Sequence, residues 1–134
     1  MDETIRLRIV QAAAEQFNSK GYRSMTLGEL AAALGMSKKT LYLYFDSKEQ
    51  IAETVIMARL QAIAGKIAEI NGREGNPLDL LAETFRGIKL ELMKLNPLFI
   101  EDIQKFIPAL WQRIETFRGK QLMFIEELLQ RAKD

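Results

Sequence analysis

The sequence predicts an all-α fold, with an N-terminal three-helix module joined by a long fourth helix to a second helical part. Three observations predict it. Apolar residues recur in steps of three and four along most of the chain, the spacing of one helix face. No stretch alternates with the period of a strand, and no internal repeat is present. In the stretch Thr26 to Lys48, TLGELAAALGMSKKTLYLYFDSK, three helix starts and one helix stop follow one another closely.

The first helix is expected from about Glu3 to Asn18. Ile5, Ile9, Ala13 and Phe17 recur there every four residues, and Ala12 and Ala14 keep the flank thin. It is the surface against which Leu30, Leu41 and Phe45 pack. Gly21 breaks it, and Tyr22 packs under the turn. Thr26 opens the second helix with Glu29 at the capping-box position. The Thr hydroxyl accepts from one orphan N–H, and the Glu carboxylate reaches back to another. Met25 and Leu30 stand at the hydrophobic-staple spacing. Gly35 follows Leu30, Ala31 and Leu34 and supplies the left-handed residue that ends a helix. Ser37 caps the third helix, with Met36 and Leu41 as its staple. Ser47 starts the fourth, with Gln50 at the box position.

The third helix, about Lys38 to Phe45, is too short to stand alone in water and has to be held by its neighbours. Leu41 and Phe45 share one face and pack inward. Lys39, Thr40 and Leu43 point the opposite way, with Tyr42 and Tyr44 on the flanks. Such a helix suits a DNA major groove, which admits an α-helix and shows donors, acceptors and thymine methyls on its floor. Helix-turn-helix proteins place their second helix there.

The fourth helix is expected from Ser47 to about Ile70, with Ile56, Leu60, Ile63, Ile67 and Ile70 at alternating steps of four and three. At 1.5 Å per residue it forms a rod of about 36 Å that ties the DNA-reading module to the later helices. Asn71 to Asn76 is a loop by composition. Asn76-Pro77 restarts helix, with Asn as cap and Pro at the first helical position. Leu78, Leu81, Phe85, Ile88, Leu92 and Leu95 then repeat in steps of three and four, and Leu80, Leu90 and Met93 widen the stripe. A stripe this broad predicts a helix buried on more than one side. Asn96-Pro97 ends it. A short helix, about Leu98 to Phe106, precedes Pro108. The last helix carries Leu110, Ile114, Phe117, Phe124, Ile125, Leu128 and Leu129.

The stretch around the turn resembles the DNA-binding signature of the TetR family of bacterial transcriptional regulators. Thr26, Ala31, Gly35, Ser37, Leu41, Tyr42, Tyr44, Phe45, Ser47 and Lys48 carry the resemblance. Lys39 stands where Gly is common in that family, Leu43 where an aromatic or polar residue is common, and Gly28 where an acidic residue is frequent. Pro108, Trp111 and Glu115 to Arg118 resemble the family's regulatory part more weakly. The resemblance implies a helix-turn-helix DNA-binding domain at 1–46 and a helical ligand-binding and dimerisation domain at 47–134. The family continues with two further helices that form a dimer interface. This chain stops at Asp134, so its regulatory part reads as incomplete.

Composition narrows the chemistry. The chain has 134 residues, one ordinary domain's worth, and an apolar fraction of 48%, enough for a packed core. Net charge is only +1. From Lys20 to Lys48, five basic residues (Lys20, Arg23, Lys38, Lys39, Lys48) face two acidic ones (Glu29, Asp46), a local balance of +3. Alone, such a run is a solvated face; on a helix-turn-helix it reads as phosphate binding. With no Cys and no His, disulfides, thiolate nucleophiles, Cys/His zinc sites and His-based triads are excluded. Glu91, Glu101 and Asp102 form no convincing acid/base pair, so no enzyme is expected, and no cofactor or metal. The N-terminus lacks an apolar signal segment, and no run approaches a membrane span, which predicts a cytoplasmic protein.

Lys39, Thr40 and Leu43 are base-edge candidates: Lys39 for guanine O6 or N7, Leu43 for a thymine methyl. Thr26, Ser37, Lys38, Tyr42, Tyr44 and Lys48 are phosphate candidates. Thr26, Ser37 and Lys48 stand at or beside helix N-termini, which favour anions. Simple capping and a solvent-exposed helix face are the competing readings. Phe85, Met93, Phe99, Trp111, Phe117 and Met123 are candidates to line a pocket for a small apolar effector, against ordinary core packing. The expected function is a ligand-responsive repressor acting as a homodimer on a palindromic double-stranded DNA operator. The alternative is an all-helical interaction module whose basic helix meets an acidic protein.

Overall fold

The computed structural model describes residues 2–133, which hold seven α-helices and no strand. They are α1 (Glu3–Ser24), α2 (Leu27–Leu34), α3 (Lys38–Tyr44), α4 (Lys48–Asn71), α5 (Pro77–Leu92), α6 (Pro97–Phe106) and α7 (Pro108–Lys133). The chain divides into two compact units, Met1–Met57 with Leu95–Leu110, and Ala58–Lys94 with Trp111–Asp134. The division falls inside α4 and inside α7.

In the first unit, Asp2 caps α1 by accepting from the Thr4 N–H at 2.8 Å. Ile9, Ala13 and Phe17 of α1 are fully buried, as the four-residue spacing predicts. The expected break is present: Gly21 leaves helical geometry at φ 79°, ψ 178°. Phe17 stacks on Phe99 of α6, ring centroids 4.7 Å apart. Next to that stack, the Asn96 N–H donates to Asn18 Oδ1 at 3.0 Å and the Asn96 amide donates to the Asn18 carbonyl at 2.5 Å. So α1 serves α6 as well as the helix-turn-helix. Leu30, Leu41 and Phe45 are buried, which holds α2 and the short α3.

The second unit holds the later part of α4, α5 and the later part of α7. Ile70, Leu80, Leu81 and Leu128 form a buried cluster, with Ile125 packed against it. Beside Leu80, the Thr84 hydroxyl donates to the Leu80 carbonyl at 2.8 Å. The Glu91 side chain is only 4% exposed and meets Arg59 at 2.7 Å, Lys66 at 3.0 Å and Lys94 at 3.2 Å. Hydrogen bonds from Lys66 and then Arg59 hold its carboxyl down at about 2.

The broad α5 stripe is not buried on more than one side. Its buried residues are Leu80, Leu81, Thr84 and Glu91, a single face. Leu78, Phe85, Leu90, Leu92 and Met93 are exposed among the described residues. The spacing identifies apolar residues without saying which of them meet a partner. The buried face instead carries Thr84 and Glu91, each supplied with its own hydrogen bonds. The helix also stops at Leu92, short of Leu95, with Met93 as its C-cap.

Candidate nucleic-acid interface

The turn between α2 and α3 begins with backbone hydrogen bonds. Gly35 sits in the left-handed region at φ 68°, ψ 30°. Its N–H donates to the Ala32 carbonyl at 3.1 Å, and the Met36 N–H donates to the Ala31 carbonyl at 3.0 Å. That is the Schellman pattern, which satisfies the orphan carbonyls of α2. Ser37 then caps α3, its hydroxyl accepting from the Thr40 N–H at 3.1 Å.

The expected capping boxes form only in part. Thr26 accepts from the Glu29 N–H at 3.1 Å. The Glu29 carboxylate, however, pairs with Lys20 of α1, and this contact holds it below its ordinary range. An ammonium is a stronger partner than the neutral N–H that the box would offer. At the start of α4, Ser47 accepts from the Gln50 N–H at 3.0 Å. The Gln50 side chain reaches one residue further back, accepting from the Asp46 N–H at 2.6 Å.

On α3, Leu41 and the flanking Phe45 are 1% and 3% exposed, while Leu43 is 59% exposed. Lys38, Lys39 and Tyr42 are exposed, and Thr40 and Tyr44 are half-buried. Lys39 and Leu43 thus form an exposed face opposite the buried Leu41. Thr40 is already engaged, since its hydroxyl lies 3.0 Å from the Ser37 hydroxyl. Thr26 and Ser37 are exposed caps, and the Ser37 hydroxyl is engaged by both the N–H and the hydroxyl of Thr40.

Lys48 takes a different place from an open phosphate contact. Its Nζ donates to the Arg23 carbonyl at 3.3 Å and lies 4.3 Å from the centre of the Tyr22 ring. Burial there lowers its pKa, and the charge of Asp102 works against that fall. The Tyr22 hydroxyl is pushed up by burial and by Glu49. Opposite them, Asp102 of α6 is 8% exposed, and its Oδ2 accepts the N–H groups of Tyr22 and Arg23 at 2.9 and 3.1 Å. Sequence reasoning did not find this clip. Its partners are about 80 residues apart, and no local signal joins them.

The effector candidates separate. A cavity of about 250 Å³ in the second unit is lined by Leu60 and Ile63 of α4, Phe85, Ile88 and Leu92 of α5, and Phe117, Arg118, Gln121 and Ile125 among others of α7. Phe85 and Phe117 therefore line it. Met93 is 71% exposed and Trp111 half-buried, neither on the cavity wall. Met123 lies on a separate shallow depression with Lys120, Phe124 and Glu127. Phe99 is fully buried in the first unit against Phe17. Missed from sequence were Arg118 and Gln121, which touch the cavity with the apolar parts of their side chains. No grouping of His, Cys, Asp and Glu suited to a metal occurs among the described residues.

Residues 9–55 match the family described as "Bacterial regulatory proteins, tetR family". The HTH-type transcriptional regulator YvaF of Bacillus subtilis (strain 168) is 29% identical over 129 residues, covering 94% of this chain and 66% of that protein. The HTH-type transcriptional repressor KstR2 of Mycolicibacterium smegmatis is 31% identical over 80 residues, covering 60% of this chain and 39% of that protein. Among solved structures, the TetR family transcriptional regulator PfmR from Thermus thermophilus superposes with a TM-score of 0.78 at 25% identity, covering 93% of this chain and 70% of that one. The chain thus spans just under two thirds of one curated relative it matches and well under half of the other.

Proposed function

We propose that this chain is a TetR-family regulator that reads a specific DNA operator and responds to a small apolar effector as a transcriptional repressor. The observation that carries the reading is α3, with Leu41 and Phe45 buried beneath it and Lys39 and Leu43 exposed on the other side. Residues 1–46 form the reading domain and 47–134 the regulatory domain. Lys39 and Leu43 meet base edges, with Thr40 beside them. Thr26, Ser37, Lys38, Tyr42 and Tyr44 meet phosphates on either side. Lys48 serves the interface by holding the Tyr22–Arg23 corner.

The active form is a homodimer whose recognition helices enter successive major grooves of a palindrome, with half-sites about 34–36 Å apart. The effector occupies the cavity lined by Phe85 and Phe117 and shifts the population between DNA-competent and incompetent arrangements. It does so only by its difference in affinity for the two. The proteins it resembles are transcriptional regulators, and no described helix is long and apolar enough to cross a membrane. A cytoplasmic location follows from the reading.

Selection from a random duplex pool tests the reading. A palindromic consensus is expected to enrich, and binding to it is expected to survive an excess of unrelated duplex. Enrichment of no sequence, together with tight binding to an acidic protein, would favour the interaction-module reading instead.

A further inference from the structure

The cavity of the second unit has the same chemistry on every side. Leu60 and Ile63 of α4, Ile88 of α5 and Phe117 of α7 are among its wall residues, and no polar atom of the wall faces the space. Arg118 and Gln121 reach it only with the apolar parts of their side chains. Phe85, Leu92 and Leu122 line it too and are half exposed to solvent, so the mouth is as apolar as the interior. A polar group that enters gives up its water and meets neither donor nor acceptor. Burying a hydroxyl or an amide in that way is unfavourable, and burying a lone charge is far more so. A hydrocarbon has no such penalty and gains with the wall area it covers.

We infer that the cavity selects a hydrocarbon of about ten carbons, because its wall holds no polar partner for a substituent. This rests on the effector-pocket reading and narrows the apolar effector to one without hydroxyl, carbonyl or carboxylate groups. The size follows from the volume. The cavity measures about 250 Å³, against the roughly 150 Å³ that holds benzene, so two fused rings are a fitting body. Phe85 and Phe117 supply aromatic surface for such rings. One turn of an α-helix, about 5.4 Å long and 10 Å across, takes up more room than this, so a partner helix lends the cavity at most a side chain. The mouth lets one end of a ligand stay in water. A single hydroxyl is tolerated there, at the loss of the apolar contact it replaces. A second hydroxyl at the opposite end has no such outlet.

Equilibrium titration of this chain with 2-methylnaphthalene, 2-naphthol and naphthalene-2,6-diol, followed by the fluorescence of the probes, tests the inference. The three share one ring body. 2-Methylnaphthalene is expected to bind most tightly, and 2-naphthol about 3–5-fold more weakly, the worth of one buried methyl group. The diol is expected to bind about 5–100-fold more weakly than 2-naphthol. Ile88→Phe and Ile114→Phe fill the cavity from α5 and from α7, and each is expected to weaken 2-methylnaphthalene by about 10-fold or more. Circular dichroism identifies a variant that fails to fold, and the other then decides. Binding of the diol as tight as that of 2-methylnaphthalene overturns the inference and leaves the effector pocket standing. Probe binding that disappears as the chain self-associates in sedimentation assigns the cavity to a second copy and overturns the inference. Undiminished binding in the folded variants, or binding of no probe at all, overturns the pocket reading itself.

Discussion

Asp102 Oδ2 on α6 accepts the backbone N–H of Tyr22 at 2.9 Å, across 80 residues of sequence. The same oxygen accepts the Arg23 N–H at 3.1 Å. The two donors converge because Gly21, one residue earlier, turns the chain with a positive φ. This corner leads directly into Met25 and the Thr26 cap, so the entry to the helix-turn-helix is fixed by a carboxylate from α6. Asp102→Ala is expected to lower stability by about 1–3 kcal/mol, because two N–H groups lose a charged acceptor. In urea titrations the midpoint should fall with the slope unchanged. Affinity for operator and unrelated DNA should fall by similar factors. A loss confined to the operator would show that the corner acts on base reading instead.

Gly21 and Gly35 both have a positive φ, and only one of them is crowded. A Cβ on Gly21 would stand 2.8 Å from Asp102 Oδ2, whereas Gly35 has open space around it. Gly35→Ala is therefore expected to cost about 1–2 kcal/mol from backbone strain alone. Gly21→Ala should cost more, and Asp102→Ala in the same chain should remove part of the excess. Equal destabilisation by the two substitutions would count against the close approach.

Glu91 predicts an acid limb in the stability curve. Its folded pKa, about 2, lies below the usual carboxylate value because Lys66, Arg59 and Lys94 favour the charged form. A depressed folded pKa gives stability that is complete above the unfolded pKa of about 4.3 and is lost as pH falls toward 2. Glu91→Gln should be less stable by about 1–3 kcal/mol near neutrality. Its difference from the unmodified chain should shrink between about pH 4.3 and 2. A difference that stayed constant across that window would remove the three-cation cluster as its cause.

How much of this was legible can be judged from particular residues. The elements were, because caps, Gly and Pro act locally: Gly35, Ser37, Asn76-Pro77 and Asn96-Pro97 all stand where helices stop or start. The α3 faces were legible too, since 3.6-residue geometry separates Leu41 from Leu43 without outside help. What failed depends on distance in sequence. Glu29 turns to Lys20, and Asp102 reaches Tyr22, because charged groups choose among partners that only the fold brings near. The α5 stripe shows the other limit, as Phe85 and Met93 have the periodicity of buried residues and are exposed. Gln121 could have been singled out only as a polar residue interrupting the apolar positions of α7.

Lys38 and Lys48 are expected to separate gripping from support. The Lys48 ammonium is occupied by the Arg23 carbonyl and the Tyr22 ring, while Lys38 is exposed at the start of α3. Lys38→Gln is expected to lower the log–log salt slope of DNA binding by about one unit for each bound chain. Lys48→Gln should leave the slope unchanged and lower the melting temperature instead. The opposite assignment of slope and stability would return Lys48 to the phosphate backbone.

The cap of α3 is expected to link stability to reading. Ser37→Ala removes the acceptor for the Thr40 N–H and the partner of the Thr40 hydroxyl. A loss of about 0.5–2 kcal/mol is expected from the cap. Ser37→Asp keeps an acceptor and should recover most of that stability while placing a negative charge beside DNA, so its affinity should fall further than its stability. Parallel recovery of both would mean that Ser37 stands away from the phosphates.

The central claim is that the exposed face of α3 reads bases, and Lys39 tests it most directly. Lys39 lies on the side of α3 opposite the buried Leu41 and Phe45. The measurement is selection from a random duplex pool with the unmodified chain and with Lys39→Ala, followed by titration of both against the winning sequence and an unrelated duplex. The account predicts that Lys39→Ala loses about 1–3 kcal/mol on the selected operator, relaxes the choice at one base position in each half-site, and binds the unrelated duplex almost as before. An unchanged consensus, with equal losses on both duplexes, would contradict it.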